Sequence, residues 1–141
     1  MITDLTAQHA LDRLAKYGAG ALSDTERTVA TLWQLEAGVG NSGFTGYFSS
    51  SRGDLAWYAV DALRDVGAPE LAEIVAEANS IVFGRIVPPH SRIVRRELVH
   101  ALPEESRQKL AELDLRFENC SEDIDELLEK YLSRHLAGAQ R

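Results

Sequence analysis

"GNSGFTGYFSSSRGDL", residues 40–55, gathers four glycines and four serines around Phe44, Tyr47 and Phe48, in a chain that otherwise reads as one helix after another. A purely irregular loop has little use for three large aromatics. Phe44, Tyr47 and Phe48 stand at i, i+3 and i+4, which places them on one face of a helix. Burying three rings would anchor a segment whose glycines and serines have low helical propensity. The spacing therefore predicts a short aromatic-anchored helical turn over 41–51, capped by Asn41 or Ser42, between two longer helices. The competing reading is a glycine loop that cradles phosphate. Such a loop needs a preceding strand and a lysine or an open helix N-terminus. No strand pattern precedes this stretch and no lysine closes it.

Outward from that turn the periodicity is helical. A first helix is expected from Asp4 to Tyr17, capped by Thr3 or Asp4, with Leu5, Leu11 and Leu14 as its apolar stripe and Gly18 and Gly20 as its stop. Ser23 and Glu26 form a Ser-x-x-Glu capping box. Val29, Leu32, Trp33 and Glu36 follow until Gly38 and Gly40 end the run. On the other side Asp54 is placed to cap a third helix carrying Leu55, Tyr58, Ala59, Ala62, Leu63 and Val66, terminated by Gly67. Pro69 fits the first turn of a fourth, where its missing N–H is harmless, with Leu71, Ile74, Val75, Ala78 and Val82 buried. Pro88 and Pro89 break the chain. Ser91 caps a fifth helix with Val94, Leu98 and Ala101 inward. Pro103 starts a sixth with Leu110, Leu113 and Phe117. Ser121 caps a seventh with Ile124, Leu127, Leu128, Tyr131 and Leu132. "RIV" at 85–87 is too short for a strand. The expectation is all-α, a compact single-domain array over 1–141 of about six to seven helices.

Composition narrows the function. With 141 residues and 45% hydrophobic content, the chain can build a core without staples. One cysteine, Cys120, excludes an internal disulfide framework and a Cys-rich zinc site. The start of the sequence has neither the basic residues nor the apolar run of a signal peptide. No apolar stretch approaches the ~18 residues of a membrane span. A cytoplasmic protein is expected. The net charge of −7 argues against direct contact with nucleic acid, which needs a basic footprint. Residues 54–84 hold six carboxylates and one arginine, Arg64, whereas 85–100 hold four arginines and one glutamate.

"LWQLEAGVGNSGFTGYFSSSRGDLAWYAVDALRDVGAPELAEIVAEAN", residues 32–79, resembles the signature of a bacterial DNA-mimic-protein-like family, a domain of unknown function whose named member is a DNA mimic. Glu36, Asn41, Gly43, Phe44, Tyr47, Phe48, Gly53, Ala59, Leu63, Gly67 and Ala68 fall where the family pattern asks. Ser42 replaces its second glycine, and Ser49 stands where asparagine is usual. "LDLRF" (113–117) and "LLEKYLSRH" (127–135) resemble the family's C-terminal part. The resemblance implies an all-helical fold. Its matching residues are apolar anchors and turn formers rather than catalytic groups.

Catalytic and metal chemistry finds little support. Glu97 and His100 make one Glu-x-x-His pair, but di-iron bundles need two pairs and two further glutamates. Cys120 is surrounded by Glu122 and Asp123, which oppose thiolate formation, so a structural thiol is expected. No enzyme activity, cofactor or metal is expected. The arginines offer a second possibility. Arg92 and Arg96 share a face, and with Asn41 and Tyr47 they would make a pocket for an anionic ligand in a binding module or small enzyme. The alternative is that the arginines pair with the chain's own acids.

The acids are the sharpest feature. Asp61 and Asp65 are i, i+4, and Glu70, Glu73 and Glu77 run along one helix face, with repulsion that ordinary surfaces dilute with lysine. Later acids have more structural reason. Glu104, Glu105, Glu122 and Asp123 sit at helix starts, and Glu105–Lys109, Glu112–Arg116 and Glu126–Lys130 form i, i+4 pairs. The expected partner surface is Asp61, Asp65, Glu70, Glu73, Glu77, Glu118, Glu122, Asp123 and Glu126, turned towards a basic protein such as a DNA-binding protein. No direct contact with nucleic acid or membrane is expected. At ~1.5 Å per residue, the acids of one helix stand about 4.5 and 6 Å apart, sparser than one strand's phosphate per ~3.4 Å. A second acidic helix or a homodimer would be needed to approach duplex density.

Overall fold

The computed structural model describes residues 2–85 and 87–139, with side chains from 4 to 135 within that span. It contains seven α-helices and no strand among the described residues: α1 (Ile2–Tyr17), α2 (Asp24–Ser49), α3 (Ala59–Val66), α4 (Pro69–Phe83), α5 (Arg92–His100), α6 (Glu104–Asn119) and α7 (Ile124–Ala139). Short 3-10 segments cover Ala19–Ala21 and Ser51–Tyr58. The "RIV" triplet includes Ile86, which lies outside the described residues.

α2 is the axis of the fold, packed against α1, α3, α5, α6, α7 and the 51–58 segment. Its start follows the sequence: Ser23 Oγ accepts from Glu26 N–H at 3.1 Å and Glu26 Oε1 accepts from Ser23 N–H at 3.0 Å. Its end does not. Gly38 and Gly40 do not stop the helix; the break comes at Gly43, and beyond it lies the short aromatic-anchored helical turn expected over 41–51. Helix continues to Ser49, with a kink at Gly43 (φ 67°, ψ −177°). A Cβ on Gly38 would stand 2.5 Å from Cδ1 of Tyr47, so this glycine makes room for a ring beside the helix. The three aromatics share one buried face as expected, each fully covered. Phe44 meets Phe117 of α6 edge-on at 5.8 Å between ring centres, and Phe48 meets Phe83 of α4 at 4.9 Å. The kinked half of α2 thus sets its rings against both α4 and α6, which also pack directly on each other.

Other boundaries depart from the pattern for identifiable reasons. α1 begins at Ile2, so Thr3 and Asp4 lie in its first turn and are not caps. Its buried residues are Ala7 and Ala10, while Leu5 is exposed, because small residues let α1 lie close to α2. Asp54 caps nothing: 51–58 winds as a 3-10 helix and α3 starts at Ala59. Gly67 ends α3 in the left-handed region (φ 88°), and Pro69 occupies the first turn of α4, as expected. Ser91 caps α5. The inward face of α5, however, is Arg95 and Val99, not Val94 and Leu98; Ile93, Val94 and Leu98 are exposed. Asp123, not Ser121, caps α7 by accepting from Glu126 N–H at 3.3 Å. No helix among the described residues is long and apolar enough to cross a membrane.

Candidate functional site

The kink at Gly43 restarts α2 with a bare N–H at Phe44. Asn41 and Ser42 do not satisfy it. Asp114 of α6 does, accepting from Phe44 N–H at 2.9 Å across 70 residues of sequence. Burial pushes the Asp114 carboxyl above its ordinary value, and this single N–H lowers it only in part. Asp114 marks the wall of a groove that runs along the outer side of the kink.

Two adjoining cavities make up the groove and share Glu36 and Ile124. One, of about 260 Å³, lies between α1, α2 and α7 and is lined by Asp4, Glu36, Asn41 and Asp125 over an apolar floor that includes Trp33 and Leu128. The other, of about 460 Å³, lies between α2, α6 and the start of α7 and is lined by Gly43, Asp114, Glu118, Cys120, Glu122 and Asp123, with Leu71 and Phe117. Seven carboxylates therefore border the groove: Asp4, Glu36, Asp114, Glu118, Glu122, Asp123 and Asp125. No lysine, arginine or histidine is among the lining residues. Burial, with the charges of Asp125 and Asp123 added, pushes Glu36 up to about 7. Burial and the charges of Asp123 and Asp4 raise Asp125 as well.

The sequence-derived acidic surface is only partly what the fold assembles. Glu118, Glu122 and Asp123 are in the groove. Glu70 adjoins it: its carboxylate, the Glu122 carboxylate and the Cys120 sulfur lie within 4.8 Å of one another, so the two acidic blocks of the sequence meet there. Glu73 is exposed on the same helix. Glu77 is bridged to Arg116 at 3.2 Å, which also takes Arg116 away from the expected Glu112. Glu126 is paired with Lys130 at 3.2 Å, and Lys109 stands 3.8 Å from Glu105. Asp61 and Asp65 line a separate depression with Asp24, Arg27 and Tyr58. Sequence reading treated Glu36 as a pattern residue and passed over Asp4, Asp114 and Asp125 as binding groups. Asp114, a lone acid inside the apolar "LDLRF", was the available signal.

Glu122 has a second task. It accepts from Leu71 N–H at 2.7 Å and Glu70 N–H at 3.2 Å, capping α4 from another element because Ala68, at the cap position, has no side-chain acceptor. Replacing Glu122 with alanine should cost about 1–2 kcal/mol of stability, the worth of a cap with a charge at the positive helix end. Urea denaturation will read it; a loss below about 0.3 kcal/mol, the scale of an ordinary surface change, would remove the capping role. The same bonds count against a cation at Glu70, Cys120 and Glu122, since it would face the positive end of α4. Burial and the charges of Glu70 and Glu122 raise the Cys120 thiol despite a backbone hydrogen bond at Glu122, consistent with a structural thiol.

The anionic-ligand pocket is not assembled. Tyr47 is fully buried. Arg92 donates to Asp54 at 2.7 Å, and Arg95 is enclosed with the same carboxylate. Arg96 is exposed on α5. The cavity that Asn41 lines holds Asp4, Glu36 and Asp125 and neither Arg92 nor Arg96.

Compared with known proteins, residues 20–135 match the family model described as DMP19-like protein, a span that includes α2 through most of α7. No curated protein and no solved structure gives a match.

Proposed function

The chain belongs to the DMP19-like protein family, and on that premise we propose that it is a non-enzymatic DNA mimic whose groove and adjoining α4 carboxylates occupy the cationic surface of a DNA-binding protein. The single observation carrying this reading is the seven-carboxylate lining without a cationic side chain. Acids that the fold bridges or turns elsewhere, Glu77, Glu126, Asp61 and Asp65, have no part in it. The surface proposed is Glu36, Glu70, Glu73, Glu118, Asp123 and Asp125. Helix α4 alone is a dilute line of charge. The approach of Glu122 to Glu70 adds carboxylates from a second element beside it, which is what imitation of two phosphate strands requires.

A surface of this kind steers a basic partner electrostatically and releases it with salt. A pull-down from the protein's own cell lysate should retain basic DNA-binding proteins at low salt and lose them at high salt. Duplex DNA added to the bound fraction should displace the bait. The triple variant Glu36→Gln, Glu118→Gln, Asp123→Asn should weaken capture by roughly tenfold or more, given the worth of close interfacial charges. Partners held equally by this variant, or unmoved by duplex DNA, would remove the mimic reading.

A further inference from the structure

We infer that the joint of α1, α2 and α7 is proton-linked: each helix presents a carboxylate to one cavity, and a proton held on Glu36 relieves the repulsion between α2 and α7 until a cationic partner displaces it. The first half stands without the function proposed above. The second rests on it.

The cavity opens where three packed helices converge. Glu36 enters it from α2, Asp4 from α1 and Asp125 from α7. Asp123, from the link before α7, lines the adjoining half of the groove with Asp114, Glu118 and Glu122, and its charge reaches Glu36 from there. Every titratable group among these lining residues, except the Cys120 thiol, is a carboxylate. Like charges at such a junction are relieved most cheaply by protonating the most buried member. Glu36 is that group, raised by burial and by Asp125 and Asp123 to about 7. Between its ordinary 4.5 and about 7 the folded chain holds a proton that the unfolded chain has released, so stability falls as pH rises through this range and levels off above it. A lysine or arginine side chain entering the groove would favour ionised Glu36, so binding should strengthen as pH rises and release the proton.

The free protein tests the first half. Its thermal midpoint should fall by roughly 3 °C, the scale of a partly screened carboxylate in a domain this size, between pH 5.5 and 8. Glu36→Gln should remove most of that fall, and Asp125→Asn should lower the Glu36 midpoint seen by carbon NMR of its side-chain carboxyl. A Glu36 midpoint near 4.5, or an unchanged stability profile in Glu36→Gln, overturns the proposal. An oligolysine peptide then probes the second half. Tighter binding at pH 8 than at pH 6 in wild type, with the difference lost in Glu36→Gln, supports proton release. A linked joint with no peptide binding keeps the first half and defeats both the second half and the groove as a cation-binding site.

Discussion

Replacing Arg95 with alanine should destabilise the protein by about 4 kcal/mol, the largest single-residue loss expected. Arg95 is 0% exposed. Its Nε donates to the Phe48 carbonyl at 2.9 Å, Nη1 to the carbonyls of His90 at 2.5 Å and Pro89 at 3.2 Å, and Nη2 to Ser50 O at 3.2 Å and Asp54 Oδ1 at 2.5 Å. One guanidinium thus ties the end of α2, the 51–58 segment and the proline link before α5. Truncation leaves a cavity and several acceptors without a donor. Asp54 itself is half-exposed and keeps Arg92, so the orphaned carbonyls carry more of the cost than the carboxylate does. Burial raises Asp54, but the hydrogen bonds and charges of Arg92 and Arg95 outweigh it and hold the carboxyl below its ordinary value. Arg95→Lys keeps the charge but loses the planar fork, and should cost about 2 kcal/mol. Urea denaturation of the three proteins at one pH tests both; an Arg95→Lys stability within about 0.5 kcal/mol of wild type, the range of ordinary surface changes, would show that the fork geometry is not what matters.

The second large effect is expected at Gly43. Its φ of 67° with ψ of −177° belongs to a region that essentially only glycine enters. A Cβ there would also stand 2.5 Å from Oδ2 of Asp114, the residue that caps Phe44. Gly43→Ala should therefore cost about 3 kcal/mol or more, combining backbone strain with a displaced cap. Because Asp114 lines the groove, the substitution should also disturb that wall. Amide exchange would show it as faster exchange at Phe44, and denaturation would show the stability loss. A variant as stable as wild type would mean that neither the backbone at Gly43 nor the Asp114 cap on Phe44 is strained by a Cβ.

Local rules were legible where one segment holds all the partners. The Ser23–Glu26 box, the left-handed stop at Gly67, Pro69 in its first turn and the shared face of Phe44, Tyr47 and Phe48 each depend on residues a few positions apart. The errors arise where a distant group takes over a local task. Gly38 and Gly40 looked like stops, but the Tyr47 ring fills the space left by Gly38 and core contacts carry the helix through. Asn41, Ser42 and Ser121 looked like caps, but Asp114 and Asp123 do that work. The apolar residues of α5 were assigned inward, yet the end of α2 and the proline link offer carbonyls there, which Arg95 can satisfy and leucine cannot.

Charge followed the same division. Composition and short-range periodicity determined that the chain is acidic, helical and rich enough in apolar residues to bury a core; these depend on totals and on short periods. Tertiary structure alone decided which acids matter. Salt-bridge partners, burial and like-charge contacts are set by residues far apart in sequence, so Glu77 was neutralised by Arg116. Glu36, which had looked like one more helix residue, became the most perturbed carboxylate of the groove because packing buries it and the start of α7 then adds the charges of Asp125 and Asp123.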